Sequence, residues 1–391
     1  MGAFLFFCYN IFMKTIKENH WLFIGLFLSI FLFILSCLAI PISSTDNKIT
    51  NVFKISSEKK EEVKKREKVP EKPINAVYLT AYSAGNPNKV DSIIEQMKNS
   101  QINGVIIDIK DYSGYLSYDS NIEMVNSLDL EQVKIKDLAV VLKKFYDNNF
   151  YTIARIAVFQ DPRLSSLKND WAVQNKNTGT IWKDNKGLSW LDPSNPEVWQ
   201  YNVDIAKEVV EIGFDEVNLD YVRFPSDGPI SVMSFPKWQE QGSKADVIRD
   251  FFVYFSDKMK DEPAYISADL FGMTTTVIND MNIGQLLENT IPYFDYICPM
   301  VYPSHYPDGY LGLADPAAHP YEVIFNDISV ANTRLSTSSK AKIRPWIQDF
   351  NLGAIYDEDM IRKELEANID AGGYGYLVWD PKNIYTFNAY K

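Results

Sequence analysis

Three aspartates of this 391-residue sequence each close a short apolar run: Asp108 in GVIIDIK, Asp220 in EVNLD and Asp269 in YISAD. The segment 213–225, GFDEVNLDYVRFP, shows why that placement matters. With a period of two, Val217, Leu219 and Tyr221 fall on one side of a strand and Glu216, Asn218 and Asp220 on the other. A buried strand is ordinarily apolar on both sides, so the polar side must face somewhere unusual. The interior of a small parallel barrel that opens into a cleft is such a place. Asp220 comes last before PSDG at 225–228 breaks the chain, which sets it at the carboxyl end of its strand. The competing reading is a solvated edge strand of an antiparallel sheet.

Other strand ends bring further chemistry to the same mouth: Lys110 beside Asp108, Arg155 in TIARIAV, Arg223 after Asp220, then Tyr302, Gln348 and Trp379. Carboxylates, guanidiniums, an amide and aromatic rings are the tools of glycosidic bond cleavage. One carboxylate attacks or stabilises a cationic sugar, and a second carboxylic acid protonates the leaving oxygen. Neighbouring strands lie about 4.8 Å apart, so Asp220 and Asp269 are expected as a retaining pair with carboxyls roughly 5–5.5 Å apart. Asp220 is the expected nucleophile, its pKa held low by Arg223 or Arg155. A more enclosed Asp269 is the expected acid. Asp108 is the alternative acid, at a wider span that implies inversion. Arg223, Arg155, Lys110, Tyr302, Gln348, Trp379 and the loop residue Trp190 form the expected substrate-binding set. Plainer roles stand beside these: Arg155 and Lys110 as neutralisers of buried carboxylates, Tyr302 and Gln348 as supports, Asp349 and Asp380 as turn residues.

The elements that would position these groups alternate from residue 76 onward, the mark of parallel βαβ units. Strands are expected at 77–80, 104–110, 152–158, 216–221, 264–271, 296–302, 342–349 and 374–379. Helices are expected at 90–98, 135–148, 196–212, 245–260, 283–288, 320–332 and 359–371, the third with Ser194 or Asn195 as cap and Pro196 in its first turn. The predicted fold is a (β/α)8 TIM barrel with enlarged carboxyl-end loops over residues 75–391. A doubly wound open sheet is the rival, but no glycine-rich phosphate loop follows the first strand.

Residues 21–41 open with WLFIGLFLSIFLFILSCLAI, an uncharged apolar run long enough to span a bilayer. Lys14 and Lys17 precede it, favouring a cytoplasmic segment 1–20 and an exported remainder. An uncleaved transmembrane signal anchor is the first expectation and a cleaved signal the second; Cys37 sits in a poor lipoprotein box. Residues 42–74 follow as a charged flexible linker. Net charge is −12 overall but +4 over residues 1–72, leaving −16 on residues 73–391. So acidic a domain argues against nucleic acid and suits a neutral or amino-bearing polymer. Three cysteines, one of them (Cys298) beyond the anchor, exclude an intradomain disulfide scaffold, and three histidines without ligand spacing argue against a metal. No cofactor is expected.

Segment 213–225 resembles the hallmark of a bacterial family of glycoside hydrolases once described as a domain of unknown function. AVYLT at 76–80, GVIIDIKD at 104–111, WLDP at 190–193, CPMVYPSHY at 298–306 and LVWDP at 377–381 are similar too, although the family more often has Asn where Asp380 stands. The resemblance spans about residues 75–390. It implies a catalytic barrel with Asp220 in the nucleophile position, and it says less about substrate, because the family's label is itself inferred from barrel relatives. The expected activity is extracytoplasmic cleavage of a cell-envelope or secreted polysaccharide at the cell membrane. A barrel that binds glycan without cleaving it is the alternative. A lyase or esterase comes third, and no Gly-x-Ser-x-Gly elbow supports the latter.

Overall fold

The structure, a computed structural model, describes residues 67–238, 242–337 and 339–391. The expected membrane span and the linker up to residue 66 lie outside the described residues. Among the described residues no helix is long and apolar enough to cross a membrane.

Eight parallel strands form a closed ring: β1 (Ile74–Leu79), β2 (Gly104–Lys110), β3 (Tyr151–Ala157), β4 (Glu216–Asp220), β5 (Tyr265–Phe271), β6 (Tyr296–Met300), β7 in two pieces (Lys342–Ile343 and Trp346–Gln348) and β8 (Gly375–Trp379). The first piece of β7 pairs with β6; the second pairs with β8 and meets β6 at Met300↔Trp346, which closes the barrel. The single strand expected at 342–349 is interrupted at Arg344-Pro345, because proline offers no N–H to the ladder. All seven expected helices surround the ring: α1 (Pro87–Met97), α2 (Leu138–Tyr146), α3 (Pro196–Ile212), α4 (Lys244–Met259), α5 (Leu287–Thr290), α6 (Pro320–Arg334) and α7 (Glu358–Asp370). Asn195 caps α3, its side chain accepting from the Glu197 N–H, and Pro196 fills the first turn as expected. α5 is one turn long and starts later than expected. Asn282 and Gly284 hold left-handed φ of 59° and 84°, so no helix can run through 283.

Strand alternation divides the apolar residues into two clusters. Val77, Ile107, Ala154, Val217, Leu219 and Ala268 face outward and merge with Val90, Leu142, Val209 and Phe252 of the helices. Ile74, Ala76, Ile106, Tyr151, Ile153, Tyr296 and Leu377 fill the lower interior. Among them Glu216 takes a bidentate grip from Arg344 (Nη1 to Oε2 at 3.1 Å, Nη2 to Oε1) and a hydrogen bond from Tyr151 at 3.0 Å. Above this floor Asp108, Arg155, Asn218, Asp220 and Asp269 bring polar groups to the interior beside the aromatic rings of Tyr78, Tyr302 and Trp346. On one side of the mouth the β3–α3 and β4–α4 loops join through an antiparallel ladder, Gln174–Asn175 with Met233–Ser234.

Candidate active site

Strand register assembles the site. β2 and β3 pair Asp108↔Arg155, and β4 and β5 pair Leu219↔Ala268, which sets the next residues, Asp220 and Asp269, side by side at the strand ends. Arg155 is the hub. Its Nη1 donates to Asp108 Oδ1 at 2.5 Å, its Nη2 to Asp220 Oδ2, and its Nε lies 3.7 Å from Asp269 Oδ2. All three aspartates singled out as acid or nucleophile therefore touch one guanidinium. The Arg155 side chain is 16% exposed, against 1% for that of Asp269, so the arginine is the more open face of the cluster.

The carboxyls differ in what surrounds them. Asp269 Oδ1 accepts from Asn218 Nδ2 and Trp346 Nε1, both at 2.8 Å, whereas Oδ2 is sealed and without a hydrogen-bond partner. Burial first, and repulsion from Asp220 second, push the Asp269 pKa up to about 8, against the pull of Arg155. The group is then a neutral acid at pH 7, and with two donors already on Oδ1 its proton belongs on Oδ2. Asp108 is also shifted upward by burial, opposed by Arg155 and by the Tyr78 hydroxyl, which donates to Oδ2 at 2.5 Å. Asp220 Oδ1 accepts from the next backbone N–H, that of Tyr221, at 2.5 Å.

Tyr221 is a correction to the period-two pattern. The strand stops at Asp220, and Tyr221 takes φ 54°, a left-handed conformation costly for an aromatic residue. Its ring leaves the outer face and meets Trp190 at 5.9 Å, edge to face. Burial, then the charge of Asp220, raise its phenol pKa to about 12.

Other expected contributors separate. Arg223 stands at the mouth, its Cζ 4.8 Å from the Trp190 ring centre and 4.6 Å from that of Phe271. Tyr302 is close enough for its phenol to feel Asp269, Arg155 and Asp220, and its ring lies 5.3 Å from Trp379 and 6.0 Å from Phe350. Lys110 is elsewhere. A register shift after Asp108 turns it outward, where its Nζ bonds Asp161 Oδ2 at 2.9 Å and Asn202 Oδ1 at 3.3 Å, fully buried. It neutralises a buried carboxylate other than the one its neighbour in sequence suggested. Gln348 has both ends of its amide occupied, accepting from Ser304 Oγ at 2.7 Å and donating to Phe350 O at 2.8 Å, so it fixes a loop and is not free for substrate. Trp190 is 2% exposed and donates Nε1 to Asp184 Oδ2 at 3.1 Å; it braces the loop and is no open platform for a sugar ring. Asp349 and Asp380 accept backbone N–H bonds from Thr386 and Ile384 in the C-terminal turn. Tyr78, Asn218, Trp346 and Tyr221 were absent from the sequence-derived set. The alternation in 216–220 contained the signal for Asn218; the other three depend on which strands become neighbours across the ring.

A family model described as "putative glycosyl hydrolase domain" matches residues 76–385. The chain belongs to that family. A crystal structure of a hypothetical protein from Ruminiclostridium thermocellum is 38% identical, over 49% of this chain and 96% of that one, with a TM-score of 0.45. The PgaB (BpsB) glycoside hydrolase domain from Bordetella bronchiseptica is similar at 13% identity and TM-score 0.56, covering 80% of this chain and 95% of that chain. Alpha-L-fucosidase isoenzyme 2 from Paenibacillus thiaminolyticus is similar at 12% identity and TM-score 0.56, covering 81% and 48%. At these identities the last two share the barrel fold with this family member. No curated protein matches the chain.

Proposed function

We propose that the barrel hydrolyses glycosidic bonds in a cell-envelope or secreted polysaccharide by a retaining mechanism, with Asp220 as nucleophile and Asp269 as acid. The observation that carries this is the sealed Asp269 carboxyl, its pKa pushed up by burial, set next to Asp220 with both within reach of Arg155. Asp269 Oδ2 gives its proton to the leaving oxygen while Asp220 attacks the anomeric carbon; the resulting Asp269 anion then draws the proton from the water that releases the sugar. Oδ2 is sealed in the free protein, so substrate must part the groups around it, of which Arg155 is more exposed than any of the three acids. The same burial favours a second reading, a barrel that holds glycan without cleaving it.

Comparing wild type with Asp220→Asn on a panel of envelope polysaccharides separates the two. Release of reducing ends by wild type, reduced at least about 1,000-fold in the variant, supports the hydrolase. Equal glycan retention with no release by either protein supports the binder. Anomeric analysis of the first product by NMR tests retention. We further propose that residues 21–41 anchor the protein in the cell membrane and that 42–66 tether the barrel outside the cytoplasm. The apolar run and the lysines before it support this. Protease added to intact spheroplasts should then cleave the tether, and a fully protected barrel would refute the topology.

A further inference from the structure

Arg223 carries a charge that the protein leaves unanswered. Its two hydrogen bonds, to Phe224 O and Ser226 Oγ at 3.1 Å each, both come from Nη1. Nε and Nη2 make none, and neither nitrogen is sealed from solvent. Among the described residues no carboxylate lies within 4.0 Å of this guanidinium, although the residue is only 9% exposed. The ring centres of Trp190 and Phe271 lie 4.8 and 4.6 Å from its Cζ. It sits three residues after Asp220, whose charge is the largest acting on it. Buried charges in folded proteins are normally paired. The open edge here, Nε with Nη2, is the planar fork that takes a carboxylate in two parallel hydrogen bonds.

We propose that Arg223 is a specificity residue that binds a carboxylate on the sugar occupying the subsite beside Asp220, so that the substrate is a glycan bearing an acidic sugar. This rests on the glycan-active reading above and adds the substrate class to it. The −16 charge on residues 73–391 disfavours a densely anionic polymer on electrostatic grounds. The carboxylate is therefore an isolated one in an otherwise uncharged or amino-bearing chain.

The test measures binding, so that it does not depend on cleavage. Uronic-acid-containing polysaccharides and their carboxyl-reduced forms are titrated against the full-length Asp220→Asn protein, with and without Arg223→Gln. The acidic form should bind at least about tenfold more tightly than its reduced counterpart, and Arg223→Gln should erase that difference by weakening the acidic form far more than the reduced one. Equal affinity for the two forms overturns the proposal, as does equal loss for both in the variant. A measurement that needs no variant guards against misfolding. Glucuronate should raise the melting temperature of wild type where glucose does not, and a larger rise with glucose 6-phosphate would refute the choice of carboxylate. Carboxylate preference without hydrolysis by wild type would remove the hydrolase and keep this proposal; hydrolysis without the preference would do the reverse.

Discussion

Asp269 is a carboxyl group buried at a cost to stability, and the sign of that cost can be measured. Its folded pKa of about 8 lies above the ordinary carboxyl value of 3.8. Below pH 3.8 both states hold the proton and burial of the group is not penalised by charge. Between 3.8 and 8 the folded protein keeps a proton that the unfolded chain releases, so stability falls as pH rises through this window, and the penalty is complete above 8. Asp269→Asn is neutral at every pH and can still accept from Asn218 and Trp346. It should melt several degrees above wild type at pH 8, with the gap closing toward pH 4, as calorimetry across the range would show. Its activity should be lost, and wild-type kcat/KM should decline above about pH 8 as the acid deprotonates. A melting gap that does not change with pH would show that Asp269 is ionised in the folded protein. The acids and Arg155 were legible in the sequence because each lies at or near the carboxyl end of an apolar strand with the parity that points it inward. Lys110 has the same parity and still turns outward, because one register shift inverts the face of every residue after it.

At the scale of elements, one buried ion pair in an apolar floor ties the strand that proline interrupts to β4. β7 is split at Arg344-Pro345, and the Arg344 side chain crosses the interior to grip Glu216 on β4. Breaking a buried pair from one side leaves an uncompensated charge and costs about 3–5 kcal/mol, whereas exchanging both partners for apolar groups is often neutral. Glu216→Gln should therefore lower stability by about that amount in urea titrations. The double change Glu216→Leu with Arg344→Met should recover most of it. Recovery in the double variant with activity retained would show that the floor is structural and separate from the acids above. A double variant no better than the single would mean that the grip specifies strand order and is needed for closure. The sequence marked Glu216 as inward but not its partner, because the pairing spans 128 residues and requires the ring to close. Likewise the left-handed turn at Tyr221 left no trace in the alternation that otherwise ordered β4 correctly.

The barrel has two unlike ends, and residues 67–73 lie at the one without the acids. Residues 67–73 lead into β1 along the amino-terminal face: Tyr265 OH donates to Val69 O at 2.9 Å, Lys68 Nζ lies 3.7 Å over the Tyr265 ring and 3.5 Å from Asp295, and Asn103 Nδ2 donates to Pro73 O at 3.1 Å. Val69 packs against the inner cluster at the same end. Asp108, Asp220 and Asp269 stand at or near the carboxyl ends of their strands, at the opposite end of the barrel from residues 67–73. The contacts themselves are weak. An exposed ion pair adds at most about 1 kcal/mol and a cation–π contact about 0.5–1 kcal/mol, so the segment contributes roughly 2 kcal/mol in all. In a unit of this size that corresponds to a few degrees of melting temperature. A protein beginning at residue 74 should thus melt a few degrees below one beginning at residue 67, with unchanged kcat and KM on any polysaccharide found to be cleaved. A loss of activity parallel to the loss of stability would mean that the barrel floor and the acid layer move together. Identical melting would mean that residues 67–73 rest on the barrel without supporting it.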